Sequence, residues 1–240
     1  MCGRFNLIDS PEVQWLCEVL GINLQAKHLS QDKAPGANIA IVHVLDGERI
    51  VSDAIWWLFL KQESDQASPK PNYKYASFNS RSDKLFVKRS ISYIPFRESR
   101  CLIPASAFVE GLGDKKTYHK IELEDSAIVF GGLYKEYLNR DTGEIVYGAS
   151  IITLPPPEPK QQSQEQTQLS TKWNEIHPKS YPLMLDFEDT DLIEKWLDPG
   201  FAEVEDFQQL LVPRIIKPMK VTRIDKPSKW NPIEDSFMIR

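Results

Sequence analysis

Apolar positions recur along the chain at two different periods. Val13, Leu16, Cys17 and Leu20 fall at i, i+3, i+4 and i+7, which predicts one buried stripe on a helix. Pro11 suits a first helical position, Asp9 and Glu12 have capping-box spacing, and Gly21 predicts the helix end. Cys17 on that stripe reads as a core thiol. After it the pattern changes to strands. Residues 38–45, 49–60, 117–123, 127–137 and 144–154 are rich in Ile, Val, Phe, Tyr and Trp. Turn clusters such as Asp46-Gly47 and Asp141-Thr142-Gly143 separate them. Helical patterns return at 83–90 and 190–197. Strands and helices do not alternate regularly, which argues against a doubly wound parallel sheet. The expected fold is α+β, a single domain over 1–240 with a mostly antiparallel sheet or partly closed β-barrel and flanking helices. Residues 63–71 are polar. Residues 155–171 hold three consecutive prolines and then five glutamines, and read as a low-complexity loop that does not pack. Strand patterns resume beyond both stretches, so neither reads as a domain linker.

Composition narrows the class. The 240 residues are 41% hydrophobic and 26% charged, ordinary for a globular chain. No run approaches the roughly 18 apolar residues of a membrane span, and the start lacks a signal-peptide pattern. The expectation is a cytoplasmic protein with no membrane partner. Three cysteines are too few for a disulfide scaffold, and four scattered histidines lack zinc-site spacing. No metal and no cofactor are expected. A net charge of −5 confines any contact with nucleic acid to a local patch. Residues 79–101 supply one, with Arg81, Lys84, Lys88, Arg89, Arg97 and Arg100 against only Asp83 and Glu98. The plain alternative is a solvated face.

Cys2 carries the most specific chemistry. Removal of Met1 would make it the amino terminus, with an α-amine of pKa about 7.7–8.0 beside a thiol of about 8.5. Such an aminothiol can attack as a thiolate with its own amine as base. Alternatively, its amine condenses with an aldehyde and the thiol closes on the imine to give a thiazolidine.

Several motifs then occur in a fixed order. They are Met1-Cys2-Gly3-Arg4-Phe5, Phe78-Asn79-Ser80-Arg81-Ser82-Asp83, and Arg100-Cys101-Leu102-Ile103-Pro104-Ala105 followed by Ser106-Ala107-Phe108-Val109-Glu110. Phe130-Gly131-Gly132-Leu133-Tyr134, Ile151-Ile152-Thr153, Ile176-His177 and Trp196-Leu197-Asp198-Pro199 follow. In this combination the chain resembles the SOS-response-associated peptidase family, the abasic-site processing proteins, from Met1 to about Pro199. The resemblance implies a sensor of abasic sites in single-stranded DNA that removes its own Met1 and cross-links through Cys2.

By the same resemblance, Asn79 orients Cys2 or the sugar, Glu110 is the acid/base carboxylate, and His177 assists ring opening and imine chemistry. Arg4 and Arg81 would hold phosphates, Trp56 would stack on a base, and Pro35 and Thr153 would lie along the DNA. The roles of Glu110 and His177 also follow from chemistry. Opening a furanose hemiacetal needs one proton removed and another delivered, and a carboxylate with an imidazole can do both. Glu110 ends an apolar run, where burial would raise its pKa. Asn79 can serve equally as a helix cap, and His177 as a loop-closing hydrogen bonder. Trp56 and Trp57, consecutive in a strand-like run, would point to opposite faces.

The chain departs from the family pattern in three places. Gly111 stands where the family usually has Trp, the run 177–182 is one residue longer, and the tail after Val221 lacks paired asparagines. Two other readings compete: an N-terminal-cysteine amidotransferase, and a module that binds single-stranded or modified DNA without covalent chemistry. The first lacks the His-Arg-Gly and Asn-Gly dipeptides expected of its pocket. A monomer is expected.

Overall fold

The computed structural model describes residues 3–62, 68–159 and 164–240. In chain order the first elements are β1 (Arg4–Leu7), α1 (Pro11–Leu20), β2 (Ser30–Lys33), β3 (Asn38–Leu45) and β4 (Glu48–Ile55). Next come β5 (Leu60–Lys61), β6 (Lys70–Pro71), β7 (Asn79–Arg81), α2 (Tyr93–Glu98), β8 (Arg100–Ala105) and β9 (Ala107–Gly111). The remainder are β10 (Tyr118–Leu123), β11 (Ile128–Leu138), β12 (Ile145–Leu154), α3 (Gln164–Ile176), β13 (Tyr181–Pro182), α4 (Thr190–Leu197), β14 (Met219–Ile224) and β15 (Phe237–Ile239).

Strands β11, β8, β3, β4 and β12 are successive neighbours, and β11 also pairs with β12. Five strands therefore form a closed barrel, which removes the edges an open sheet would expose. Its pairings are antiparallel except where β12 runs parallel to β4. β7 joins β12 in parallel, with Asn79 opposite Ile151 and Arg81 opposite Thr153. A second, antiparallel sheet has the order β15-β14-β10-β9-β1-β2. Phe5 and Phe108 of this sheet meet Trp56 and Phe130 edge-on, with ring centroids 4.8 Å (Phe5–Trp56), 6.1 Å (Phe5–Phe130) and 5.5 Å (Phe108–Phe130) apart. All four are buried, and each such side chain contributes about 1.5–3 kcal/mol by leaving water. Gly131 lies under Leu183: a Cβ there would come within 2.6 Å of the leucine side chain. The fold is thus an α+β single domain whose barrel is fully closed.

Four local expectations change. Helix α1 is capped by Ser10, whose hydroxyl accepts from the Val13 N–H (3.4 Å), while Asp9 accepts from the Gln14 side chain. The strand expected over 49–60 stops at Ile55, where the Trp57 N–H turns back onto the Ile55 carbonyl (2.6 Å). The pattern at 83–90 gives a short 3-10 turn, Ser82–Lys84, followed by further turns, and the helix comes later at Tyr93–Glu98. The segment read as an unpacked loop over 155–171 instead enters helix α3. Leu169, Trp173 and Ile176 fall on one buried face of α3, and its glutamines, good helix formers, tolerate the wet face. The first glutamines, in 160–163, lie outside the described residues.

Candidate active site

Strand β1 pairs with β9 so that Arg4 faces Val109, and Glu110 follows at the end of β9. β9 then pairs with β10, setting Gly111 opposite Tyr118. Helix α3 ends at Ile176, and the His177 N–H bonds the Trp173 carbonyl (2.7 Å), which delivers the imidazole to the same place. Gly3, Arg4, Glu110, Gly111, Tyr118 and His177 line one cleft of about 310 Å³. Met1 and Cys2 lie outside the described residues.

The two titratable groups of this cleft have opposite properties. Glu110 is 2% exposed, and burial pushes its carboxyl up to about 7. Near neutral pH it can therefore hold a proton to donate. Burial drives His177 down to about 4, so its imidazole is neutral. Its Nδ1 lies 2.7 Å from the Gly111 carbonyl and 3.6 Å from Glu110 Oε2. A carbonyl only accepts, so Nδ1 carries the proton and Nε2 is the basic nitrogen. A protonated acid and an unprotonated base side by side suit a reaction that delivers one proton and removes another.

The same shifts make a stability prediction. Below pH 4.5 Glu110 is protonated in both folded and unfolded chains and contributes nothing. Between 4.5 and about 7 only the unfolded chain loses the proton, so folding is penalised increasingly, in full above pH 7. Glu110→Gln removes that penalty. Its thermal midpoint should exceed that of the wild type at pH 8 and converge with it near pH 4. A difference independent of pH would contradict the raised carboxyl.

Tyr118 resolves the missing aromatic at position 111. A Cβ on Gly111 would approach the Tyr118 ring to 3.0 Å. The ring therefore lies over the glycine and supplies the aromatic wall from the neighbouring strand. Sequence inspection missed Tyr118, although a glycine opposite a strand tyrosine was its signal.

Asn79, 9% exposed, does not line this cleft. It borders a groove of about 380 Å³ with Lys74, Tyr75, Arg81 and Lys84. Arg81 also borders a groove of about 620 Å³ with Thr153 and Lys179. The Lys179 amine would stand 3.8 Å from a Cβ on Gly113, which lines the Glu110 cleft. The three depressions thus follow one another along the surface.

The cation contacts differ from the sequence pattern. Arg81 makes a two-pronged ion pair with Asp83 (2.9 and 2.8 Å), and Arg4 pairs with Asp32. Arg97 lies 3.8 Å over the Tyr93 ring. Arg100, 3% exposed, donates to the carbonyls of Trp196, Phe96, Arg97 and Asp198, so it braces α2 and α4 and is no part of a surface patch. Trp56 is fully buried, its indole N–H on the Phe78 carbonyl (2.9 Å), and leaves no face for a base. Trp57 is buried too, because the strand has already ended and alternation no longer applies. Pro35 and Gly36 form the centre of a turn closed by the Ala37 N–H on the Ala34 carbonyl (2.9 Å), with Gly36 at φ +90°. That turn accounts for the proline by itself.

The closed barrel, with an acid and a neutral imidazole brought beside the start of strand β1, defines a compact α+β protein equipped for proton-transfer chemistry. A family model described as SOS response associated peptidase (SRAP) matches residues 1–227, and the chain belongs to that family. Membership makes it a DNA-damage-associated, peptidase-like protein. No curated protein sequence matches it significantly. Crystal structures that share the fold include three at low identity. A protein from Bordetella bronchiseptica is 15% identical with a TM-score of 0.67, covering 94% of this chain and 100% of its own. One from Bacteroides thetaiotaomicron is 20% identical, TM-score 0.61, covering 93% and 92%. A phage-related protein from Bordetella bronchiseptica is 16% identical, TM-score 0.59, covering 97% and 100%. No helix among the described residues is long and apolar enough to cross a membrane.

Proposed function

We propose that the protein recognises abasic sites in single-stranded DNA and bonds to them through Cys2 after loss of Met1. The observation that carries this reading is the 3.6 Å approach of His177 to the buried acid Glu110 in a cleft lined by Gly3. Consecutive Cα atoms are about 3.8 Å apart, so the chain can bring Cys2 to that acid–base pair.

The chemistry divides among the side chains. His177 Nε2 takes the C1 hydroxyl proton of the sugar hemiacetal while Glu110 gives one to the ring oxygen, opening the ring to the aldehyde. The Cys2 amine adds to the aldehyde carbon, a proton from the acid–base pair expels the hydroxyl as water, and the nitrogen returns a proton to the pair to leave the imine. The Cys2 sulfur then bonds the same carbon, and its proton passes to the nitrogen, closing the thiazolidine with net loss of one water. Neutral His177 and protonated Glu110 are the forms this sequence requires. The succession of grooves past Thr153, Arg81 and Asn79 gives an extended strand a course leading away from the lesion. The protein acts alone, in the cytoplasm and at damaged nucleoid DNA, and Met1 is its own proteolytic substrate.

Incubation with oligonucleotides, abasic and intact, followed by a denaturing gel tests the reading. A shifted band with the abasic strand alone supports it. Equal native binding to both strands without a denaturation-resistant band favours the non-covalent module, and glutamine hydrolysis favours the amidotransferase.

A further inference from the structure

Arg4 lines the cleft beside Glu110, yet its guanidinium is held by Asp32 of β2, with 28% and 32% of the two side chains exposed. Asp32 has a second partner: its Oδ1 accepts from the Trp230 indole N–H (3.3 Å). Trp230 belongs to the segment 225–231 between β14 and β15, which is itself pinned down. The Asp225 carboxylate accepts from the Lys226 N–H (2.6 Å), the Asn231 N–H (3.2 Å) and the Asn231 side-chain amide (3.0 Å). Trp230 holds a left-handed backbone (φ +63°), which a bulky residue adopts only when its surroundings impose it. Pro227 of the same segment lines the Glu110 cleft. One carboxylate thus joins a cation of the cleft, which Lys115 also lines, to a strap along its rim.

We infer that Asp32 is an anion gate: it occupies Arg4 in the unbound protein and must yield that cation to a strand phosphate. This rests on the DNA reading of the site and adds the residue that sets its affinity. A phosphate and the Asp32 carboxylate make the same charge-assisted contact with a guanidinium, so they compete for its charge. Displaced from Arg4, the Asp32 carboxylate keeps its bond to Trp230. The strap carries Lys226 and Lys229, which repel no arriving phosphate. The geometry gives Asp32 a purpose its charge otherwise lacks, since a carboxylate on a polyanion-binding rim opposes binding. It excludes anions that meet Arg4 alone and admits a strand anchored at several phosphates.

Asp32→Asn separates charge from shape, because the amide oxygen still accepts from Trp230. Binding is measured on an intact, fluorescent oligothymidine strand, which forms no cross-link, across a salt series. The variant should bind about fivefold tighter at low salt, near the limit of an exposed ion pair. Its log–log salt slope should steepen by about 0.7, one added phosphate contact. Asp32→Glu, which restores the carboxylate, should return the wild-type slope. A mere change of folding would move melting temperature without steepening the slope. Wild-type binding left unchanged or weakened by Asp32→Asn overturns the gate alone. No binding by either protein overturns the gate and the DNA reading together.

Discussion

Glu110→Gln should slow cross-linking to an abasic strand by about 10²–10⁴-fold, the usual contribution of a general acid–base group, with little change in strand affinity. Glutamine preserves the shape of the carboxyl and removes its proton. The pH profile carries the sharper signature. The Cys2 amine must be unprotonated, and an ordinary α-amine reaches that form above about 7.7–8.0. Glu110 must be protonated, and that form declines above about 7. The product of these opposing fractions is a bell with its maximum between the two values. In Glu110→Gln the falling alkaline limb should vanish, leaving a slow rate that only rises with pH. Single-turnover rates from pH 5 to 9 measure both features. A wild-type rate in the variant, or an alkaline limb that persists, would remove Glu110 from the reaction.

Retention of Met1 should abolish the covalent product entirely. An acylated nitrogen cannot form the imine, so no thiazolidine can close. A bulky residue inserted before Cys2, to block processing, should leave folding intact, because the core rests on distant residues such as Trp56, Phe108 and Phe130. Strand binding should persist as well. Cys2→Ser and Cys2→Ala keep the amine once Met1 is removed and should stop at an imine, which borohydride traps and heat otherwise reverses. These variants separate the roles of nitrogen and sulfur. A Met1-retaining protein that cross-links as well as the processed one would overturn the aminothiol chemistry.

What could be read in the sequence was what depends on short range. Strands β3 and β10 to β12 and helix α4 fall within a residue or so of their apolar runs, since burial on one face writes itself directly into periodicity. Closure of the barrel was less legible, because the pairing of β11 with β12 and with β8 depends on partners distant in the chain. Helix α3 was obscured by composition: three buried apolar residues suffice to seat it, and the neighbouring glutamines mask them. At the site, the protonation of Glu110 followed from its place at the end of an apolar run. The tautomer of His177 did not, because it is fixed by a backbone carbonyl, Gly111, that no side-chain pattern announces. Arg4 and Arg81 read as phosphate contacts by the family resemblance, while their pairing with Asp32 and Asp83 is visible only in three dimensions. Trp56 misled for a related reason. Alternation assigns faces only within a strand, and that strand ends one residue earlier.

The central claim is a bond between the mature amino terminus and an abasic sugar, and intact-mass spectrometry reads that bond most directly. Protein lacking Met1 is mixed with a single strand bearing one abasic site, denatured and weighed. The predicted product has the summed mass of protein and oligonucleotide less one water, and peptide mapping places the adduct on Cys2. Unmodified protein and unmodified strand, recovered from a mixture that binds under native conditions, would contradict the account.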